Sequence, residues 1–488
     1  MYRNNIILLA IAMIFGLQLL AQDNHYWWMK AGGEASLMAG AAIAGSRDNS
    51  AIFYNPGALG FIDDLSISVN ASVYMAQLTR LNNAAGDGLN LKQWRYTYFP
   101  QMLSGMLPFK KLDRWRFSYT LMSRYNSYYR FNILHVDKID VVDEIEGLES
   151  YIGNYEFFNE IDEQWGGLGV AYRISDVVSV GLTAFASYRN QFYQQNGNAR
   201  TVPYTDTNYF LLQISDYDNI KYINWRLLFK IGLALDYEHW KIGFTVTTPS
   251  VSIYGDADVQ HELSIINFDR LVATLDISDL LAIDRQTGLN VHNRSPLSLA
   301  GGIRYEFPKT KIELSTEYFF GLDPYVMIEA EPRPFIYPEE LLPEEIQKEF
   351  KFLSVYDYKN HIFNAAIGLE QTLSEKVDML CGLHTDFNFR GNRHQVVGDI
   401  IPSSTWDLYH VTAGINYNMK SSRITIGADY YFGMEDNMPQ ILNFSTPKDY
   451  LGLTGIPKNN ANARVHGISG IIGFTYFFSG DEKSSFPF

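Results

Sequence analysis

The chain holds a single cysteine, Cys381, so no intramolecular disulfide can form. It lacks basic excess. There are 39 Lys and Arg against 54 Asp and Glu, a net charge of -15. That balance excludes a nucleic-acid partner, because phosphate backbones demand cationic surface. Beyond Leu20 no apolar run is long enough for a membrane helix. No Gly-x-Ser-x-Gly elbow is present, and His361, His384 and His394 show no metal-ligand spacing. Catalysis, a cofactor and a metal are therefore not expected. His384, Asp386 and His410 are explained as polar lining of a wet interior.

What the chain does have is alternation. In 177–193, Val178, Val180, Leu182, Ala184, Ala186 and Tyr188 fall on one face. Ser179, Gly181, Thr183, Ser187, Arg189 and Gln191 fall on the other, with Phe185 the exception. In 311–320, Ile312, Leu314, Thr316, Tyr318 and Phe320 oppose Lys311, Glu313, Ser315 and Glu317. Period two puts alternate side chains on opposite faces of a strand. A face carrying so many charges needs water. Similar segments occur near 64–76, 93–107, 113–132, 165–174, 223–237, 240–254, 297–307, 361–372, 376–389, 406–419, 423–434 and 464–478. Together they make about fourteen, an even number as single-chain membrane barrels require. Their connections alternate between tight turns and long stretches. The long ones are 77–92, 133–164, 194–222, 255–296, 321–360, 390–405 and 435–463. Short periplasmic turns and long external loops are the mark of an outer-membrane barrel. The expected fold is all-β: a transmembrane antiparallel up-and-down barrel of about fourteen strands.

The first 22 residues read as a secretory signal, with Arg3 before the apolar run Ile6 to Leu20 and the small Ala21 at its end. The predicted address is the bacterial outer membrane. A mean hydropathy of -0.13 fits strands that are half polar. Aromatics make up 15% of residues, including 33 Tyr, which suits a boundary girdle. Tyr125, Tyr128 and Tyr129 are expected in that girdle, with Tyr430, Tyr431 and Phe432 on a later strand. Cys381 shares the apolar register of Val377, Met379 and Leu383 and is expected to face lipid. Acidic residues concentrate in 137–156 and 339–349, as suits surface facing lipopolysaccharide and its cations.

Residues 23–63 do not alternate. They run small, from Gly32-Gly33-Glu34-Ala35 through Ala39-Gly40-Ala41-Ala42-Ile43-Ala44. Asp48-Asn49-Ser50-Ala51 and Phe53-Tyr54-Asn55-Pro56-Gly57-Ala58-Leu59 follow. A barrel of about fourteen strands encloses more space than its own side chains fill, so a compact segment inside would plug it. The run resembles the N-terminal hatch signature of the FadL/TodX (OmpP1) family: Gly-x-Ala-x-x-Gly-x-Ala-x-x-Ala, then Asp-Asp-x-Ser-Ala-x-x-x-Asn-Pro-Ala. Met38 stands where Gly is common, and Gly57 replaces the usual Ala after Asn-Pro. The resemblance implies an outer-membrane channel for hydrophobic compounds, with fourteen strands and a hatch in the lumen. It also implies sideways release through a gap in the wall. A relative in the family serves type IX secretion, so a role as a partner in an outer-membrane complex is the alternative.

Three sets of residues follow as candidates. External capture of a hydrophobic, fatty-acid-like ligand is expected at Leu263, Ile266, Phe268, Leu271 and Leu275, read as a loop helix, and at Phe350 within 338–353. Gating is expected at Arg47, Asp48, Asn49, Phe53, Asn55 and Pro56, and at Pro100, which breaks the second strand. Arg189, Lys311, Glu313, Glu317, Arg304 and Asp429 are expected in the lumen, anchoring the hatch or holding water. The predicted boundaries are signal 1–22, hatch 23–63, barrel 64–478 and tail 479–488.

Overall fold

The computed structural model describes residues 24–478 apart from 108–111, 206–207, 268–278, 338–350, 391–398, 403 and 450–451. Fourteen antiparallel strands close into a ring. They are β1 (Ser66–Asn82), β2 (Leu91–Leu107), β3 (Trp115–Ile139), β4 (Glu149–Arg173), β5 (Val178–Val202) and β6 (Leu212–Asp236). β7 comes in two pieces, Trp240–Thr247 and Val251–Ile266, and β8 in two, Asp279–Leu289 and Ser298–Glu306. β9 (Thr310–Phe319), β10 (Ile362–Ser374), β11 (Val377–Asp386), β12 (Asp407–Asn418), β13 (Ser422–Met438) and β14 (Ala461–Phe477) complete it. Closure runs from Ser66↔Phe477 to Asn82↔Asn462. The break in β7 contains Pro249, which has no N–H for the ladder.

Each strand obeys the alternation, with its apolar side outward. Leu182 of β5, Phe244 of β7, Leu314 of β9, Ile367 of β10 and Val411 of β12 are exposed. Ser179, Thr183, Glu313, Ser315, Asn364 and Thr412 are buried on the inner side. This inverts a water-soluble barrel and matches a lipid-facing wall.

β3, β4, β5 and β6 each run 25 residues. A membrane strand needs only about 9–11. Residues expected as the loops 133–164 and 194–222 are therefore mostly strand, standing above the membrane. There the phase of the alternation reverses. Tyr151, Tyr155, Phe157 and Ile161 of β4 are buried inside, while Glu156 and Glu160 face out. This upper wall is built like a soluble sheet around its own apolar core. The loop 439–460 packs onto it: the Tyr151 hydroxyl donates to the Leu453 carbonyl at 2.8 Å.

Within the ring lies the N-terminal segment, with helices α1 (Gly33–Leu37) and α2 (Ala51–Tyr54) and a 3-10 turn at Pro56–Phe61. Its backbone is held by inward wall side chains. Thr412 donates to the Leu37 carbonyl at 2.6 Å, Thr183 to Ile52 and Thr245 to Tyr54, both at 2.9 Å. Glu313 accepts from Ala44 N–H at 2.8 Å and Arg304 donates to Gly45 at 3.1 Å. Phe185, the residue that breaks the alternation of β5, faces inward and meets Phe53 edge-on, ring centroids 6.4 Å apart.

The wall admits this segment through inward glycines. Met38 packs on Gly368 and Gly382, and Leu37 on Gly414 and Gly427. Gly57 of the segment itself lies against wall backbone. A Cβ there would lie 2.9 Å from both the Gly232 carbonyl oxygen and the Ala234 nitrogen. Neither can move without disturbing the β6 ladder. Gly57→Ala is therefore expected to destabilise the folded barrel by about 1–3 kcal/mol, the usual cost of overpacking. Thermal unfolding of the detergent-solubilised protein measures it, and an unchanged midpoint would contradict this packing.

Candidate functional site: a lumenal cavity and a seam in the wall

Above the helices of the N-terminal segment lies a cavity with about 1390 Å³ of empty space, part of it open to solvent. Its floor includes Ala39, Gly40, Ile43, Phe53 and Tyr54, and the stretch 24–30 runs along one side. Its roof is a small sheet of loop strands, Leu322–Ile328, Val355–Lys359 and Asp399–Ile400.

The lining is cationic in an acidic protein. Lys30, Arg124, Arg189, Arg226, Lys230, Arg294, Lys359 and Arg390 face three carboxylates, Glu163, Glu317 and Asp357. Most of these charges are matched. Glu163 pairs with Arg226 at 2.7 Å and Arg189 at 3.0 Å. Asp357 pairs with Lys359 at 2.5 Å and Arg390 at 2.6 Å. In this external roof, burial pushes Lys359 down to about 8, against the pull of Asp357. Burial alone would raise Asp357, but Lys359 and Arg390 hold it well below the usual carboxylate range. Lys30 passes behind the cavity to Asp429 at 2.6 Å.

Two cations differ. Among the described residues neither Arg124 nor Lys230 forms an ion pair. Both converge on one aromatic ring: Lys230 Nζ stands 4.5 Å and the Arg124 guanidinium 5.6 Å from the Phe53 centroid. Trp165 lies under Arg124 at 5.3 Å.

Between β2 and β3 the wall has a long unpaired stretch. β2 pairs with β3 only over Met102–Leu107, opposite Met122–Phe117. Above that, both strands continue but no ladder joins them. Side chains bridge instead: Gln93 donates to the Tyr128 carbonyl at 3.3 Å and accepts from Arg130 N–H at 2.9 Å. Arg95 donates to the Asn126 carbonyl at 3.3 Å and to its side chain. Pro100 lies just above the last paired residue, beside bulges in β1 at Ala71 and Met75. Behind the bulged wall is a second, small cavity touched by Phe99, Gln101, Ser72 and Met75. Met29 and Lys30 line both cavities.

The candidate residues divide as follows. Arg47 pairs with Asp236 at 2.5 Å. Asp48 accepts from Ser50 N–H at 2.9 Å. Asn49, fully buried, donates to Ser68 at 3.2 Å and accepts from Ser66 at 2.9 Å. Asn55 donates to the Ile43 and Leu233 carbonyls and accepts from Gly57 N–H. Of the six predicted lumenal charges, Glu313, Arg304, Glu317 and Asp429 touch the N-terminal segment. Arg189 and Lys311 instead pair with wall acids, Glu163 and Glu370. Of the expected capture residues, Leu263 and Ile266 lie in a strand, β7, and not in a helix. Phe268, Leu271, Leu275 and Phe350 lie outside the described residues. The girdle is corrected too. Tyr125, Tyr129 and Tyr431 are buried inside, and only their outward neighbours Tyr128, Tyr430 and Phe432 reach the surface.

Arg124, Lys230 and the stretch Trp28–Lys30 were not singled out from the sequence. Lys230 follows Arg226 in the inward register of β6, a signal shared by every lumenal polar residue. His384 and His410, on neighbouring strands, stack with centroids 4.1 Å apart beside Asp386. Parallel imidazoles aim their lone pairs in separate planes, and Lys30 Nζ stands 3.0 Å from His410 Nδ1. The cluster anchors the N-terminal segment: Trp27 N–H donates to Asp386 at 2.9 Å.

No family profile matches the chain and no curated protein matches it in sequence. Solved structures match it in fold. A FadL homologue from Pseudomonas aeruginosa is 13% identical with a TM-score of 0.56, over 95% of this chain and 100% of that one. The toluene transporter TodX of Pseudomonas putida is 14% identical with a TM-score of 0.53, over 94% and 100%. The toluene transporter TbuX of Ralstonia pickettii is 12% identical with a TM-score of 0.50, over 93% and 100%. At such identities the likeness carries the fold. Closed fourteen-strand architecture, a greasy outer belt and a polar interior make this chain a bacterial outer-membrane β-barrel with the fold of the FadL and TodX channels.

Proposed function

We propose that the barrel takes up hydrophobic small molecules with an acidic head, fatty-acid-like, by passive diffusion. Residues 23–63 act as its hatch. The reading rests on Arg124 and Lys230, two cations without a carboxylate partner set against Phe53 and Trp165. A buried charge left unpaired costs several kcal/mol. A ligand carboxylate offsets that cost, while its chain lies along the aromatic and aliphatic lining. A neutral hydrocarbon gains nothing from the two cations.

The seam supplies the exit. A greasy solute that leaves sideways enters lipid without crossing water. Pro100 keeps β2 from completing its ladder with β3, and Arg95 and Gln93 latch the gap. Between cavity and seam stand Trp28, Met29 and Lys30, whose displacement opens the path. Arg47, Asp48, Asn49, Phe53, Asn55 and Pro56 keep the rest of the hatch docked.

Three outcomes are expected. Arg124→Gln with Lys230→Gln weakens oleate binding about thirtyfold or more, the scale of a lost buried charge pair. Toluene binding stays unchanged. Equal oleate affinity in the double variant, measured by calorimetry, removes the acidic-head reading. Pro100→Val slows oleate uptake into proteoliposomes several-fold with binding intact, because the restored donor lets the wall zip. Uptake at the original rate in a folded variant discards the sideways exit. Lys30→Met strands Asp429, at a cost of about 3–5 kcal/mol. Its planar-bilayer conductance rises, and Lys30→Met with Asp429→Leu restores tightness. A Lys30→Met barrel as tight as the original eliminates this stretch as the gate.

A further inference from the structure

We propose that the outer face of β14, β1 and β2 binds the phosphate groups of outer-leaflet glycolipid. The inference depends on the barrel's orientation and not on what passes through it.

Three neighbouring strands change character in the same rows. In the first row, Ile468, Ala76 and Tyr96 stand side by side. In the next row outward are His466, Leu78 and Trp94. In the next are Arg464, Arg80 and Lys92. Apolar and aromatic groups thus give way to three cations at one height. All three rows face away from the lumen: Ile468, Tyr96, Trp94, Arg80 and Lys92 are exposed. The cationic row lies at the long-loop end of the strands, the external side.

The row is electrostatically unfinished. Arg80 stands directly opposite Lys92 on one side and Arg464 on the other. Like charges directly opposite are destabilising. Arg464 is relieved by Asp436 at 2.5 Å. Among the described residues, Arg80 and Lys92 have no ion pair and no side-chain hydrogen bond. Arg130, the next cation along the wall, is flanked instead: its neighbours Tyr128 and Asn132 stand opposite Glu160 and Glu156 of β4. In a chain with a net charge of -15, an unneutralised cationic pair just outside an aromatic belt calls for an external anion. At that depth the available anions are lipid phosphates, and basic residues at a membrane surface are drawn to them. Trp94 and Tyr96, stacked with centroids 6.0 Å apart, offer a platform for the acyl chains just below.

The test uses the full barrel in a zwitterionic detergent, titrated with bis-phosphorylated lipid A and read by native mass spectrometry. Wild type is expected to bind it, and to lose affinity at high salt. Arg80→Gln with Lys92→Gln should bind about thirtyfold more weakly, the factor that two membrane-surface cations carry. Lipid A stripped of phosphate should not distinguish the two proteins. Arg130→Gln should bind like wild type. Equal binding by the double variant overturns the proposal, as does equal loss in Arg130→Gln, which would mean diffuse attraction only. Without lipid, Lys92→Gln should melt at or above the wild-type temperature, since a repulsion has been removed. A lower melting temperature would show that the cations serve the fold, and would also overturn it.

Discussion

Hydrocarbon offers no partner to a peptide N–H or C=O, so every strand must be bonded on both edges. The whole structure follows from that requirement. Fourteen strands meet it by closing on themselves, with β14 returning to β1 along the full length of both. An exception is the upper stretch of β2 against β3. There Gln93 and Arg95 take over the work of the missing ladder, reaching across to Tyr128, Asn126 and Arg130. Side chains can open and close in a way that a ladder cannot. A seam made of them is a weak point in the wall.

Closure creates a second problem, an interior wide enough to leak. The N-terminal segment answers it through matched polarity and matched shape. Wall hydroxyls and carboxylates face its backbone groups, while inward glycines make room for Leu37, Met38 and Pro56. The fit leaves a cavity above it whose cations outnumber its acids. Outside, the same charge logic appears at the upper edge of the lipid belt, where Arg80 and Lys92 oppose each other. Both places hold cations that form no ion pair among the described residues.

Much of this was legible along the chain, for a definite reason. In the bilayer the two faces of a strand meet opposite solvents, so period two is forced, and all fourteen strands were visible from it. The upper parts of β3 to β6 are not legible as strands because the same period continues there with its polarity reversed. Tyr155 and Phe157 turn inward there and Glu156 and Glu160 outward, which resembles neither a membrane strand nor a loop. Tyr125 and Tyr129 share the outward register of Trp115 and Leu121, and only the bulge at Arg124 turns them inside. The spacing of Leu263 and Ile266 suits a helix, yet both lie in a strand of β7. Short apolar runs do not separate the two by periodicity.

The docking motif was also visible, since Asn49, Asn55 and Pro56 stand in a recognisable spacing. Its partners were not. Nothing in the local pattern separates Lys230, which stands over Phe53 with no ion pair among the described residues, from Arg226 on the same strand, which pairs with Glu163. By itself the sequence determined the solvent on each face of each strand, because that depends on neighbours two residues apart. Which charges find partners depends on residues hundreds of positions apart, such as Lys30 and Asp429. Only closure of the ring around its own leading segment decided that.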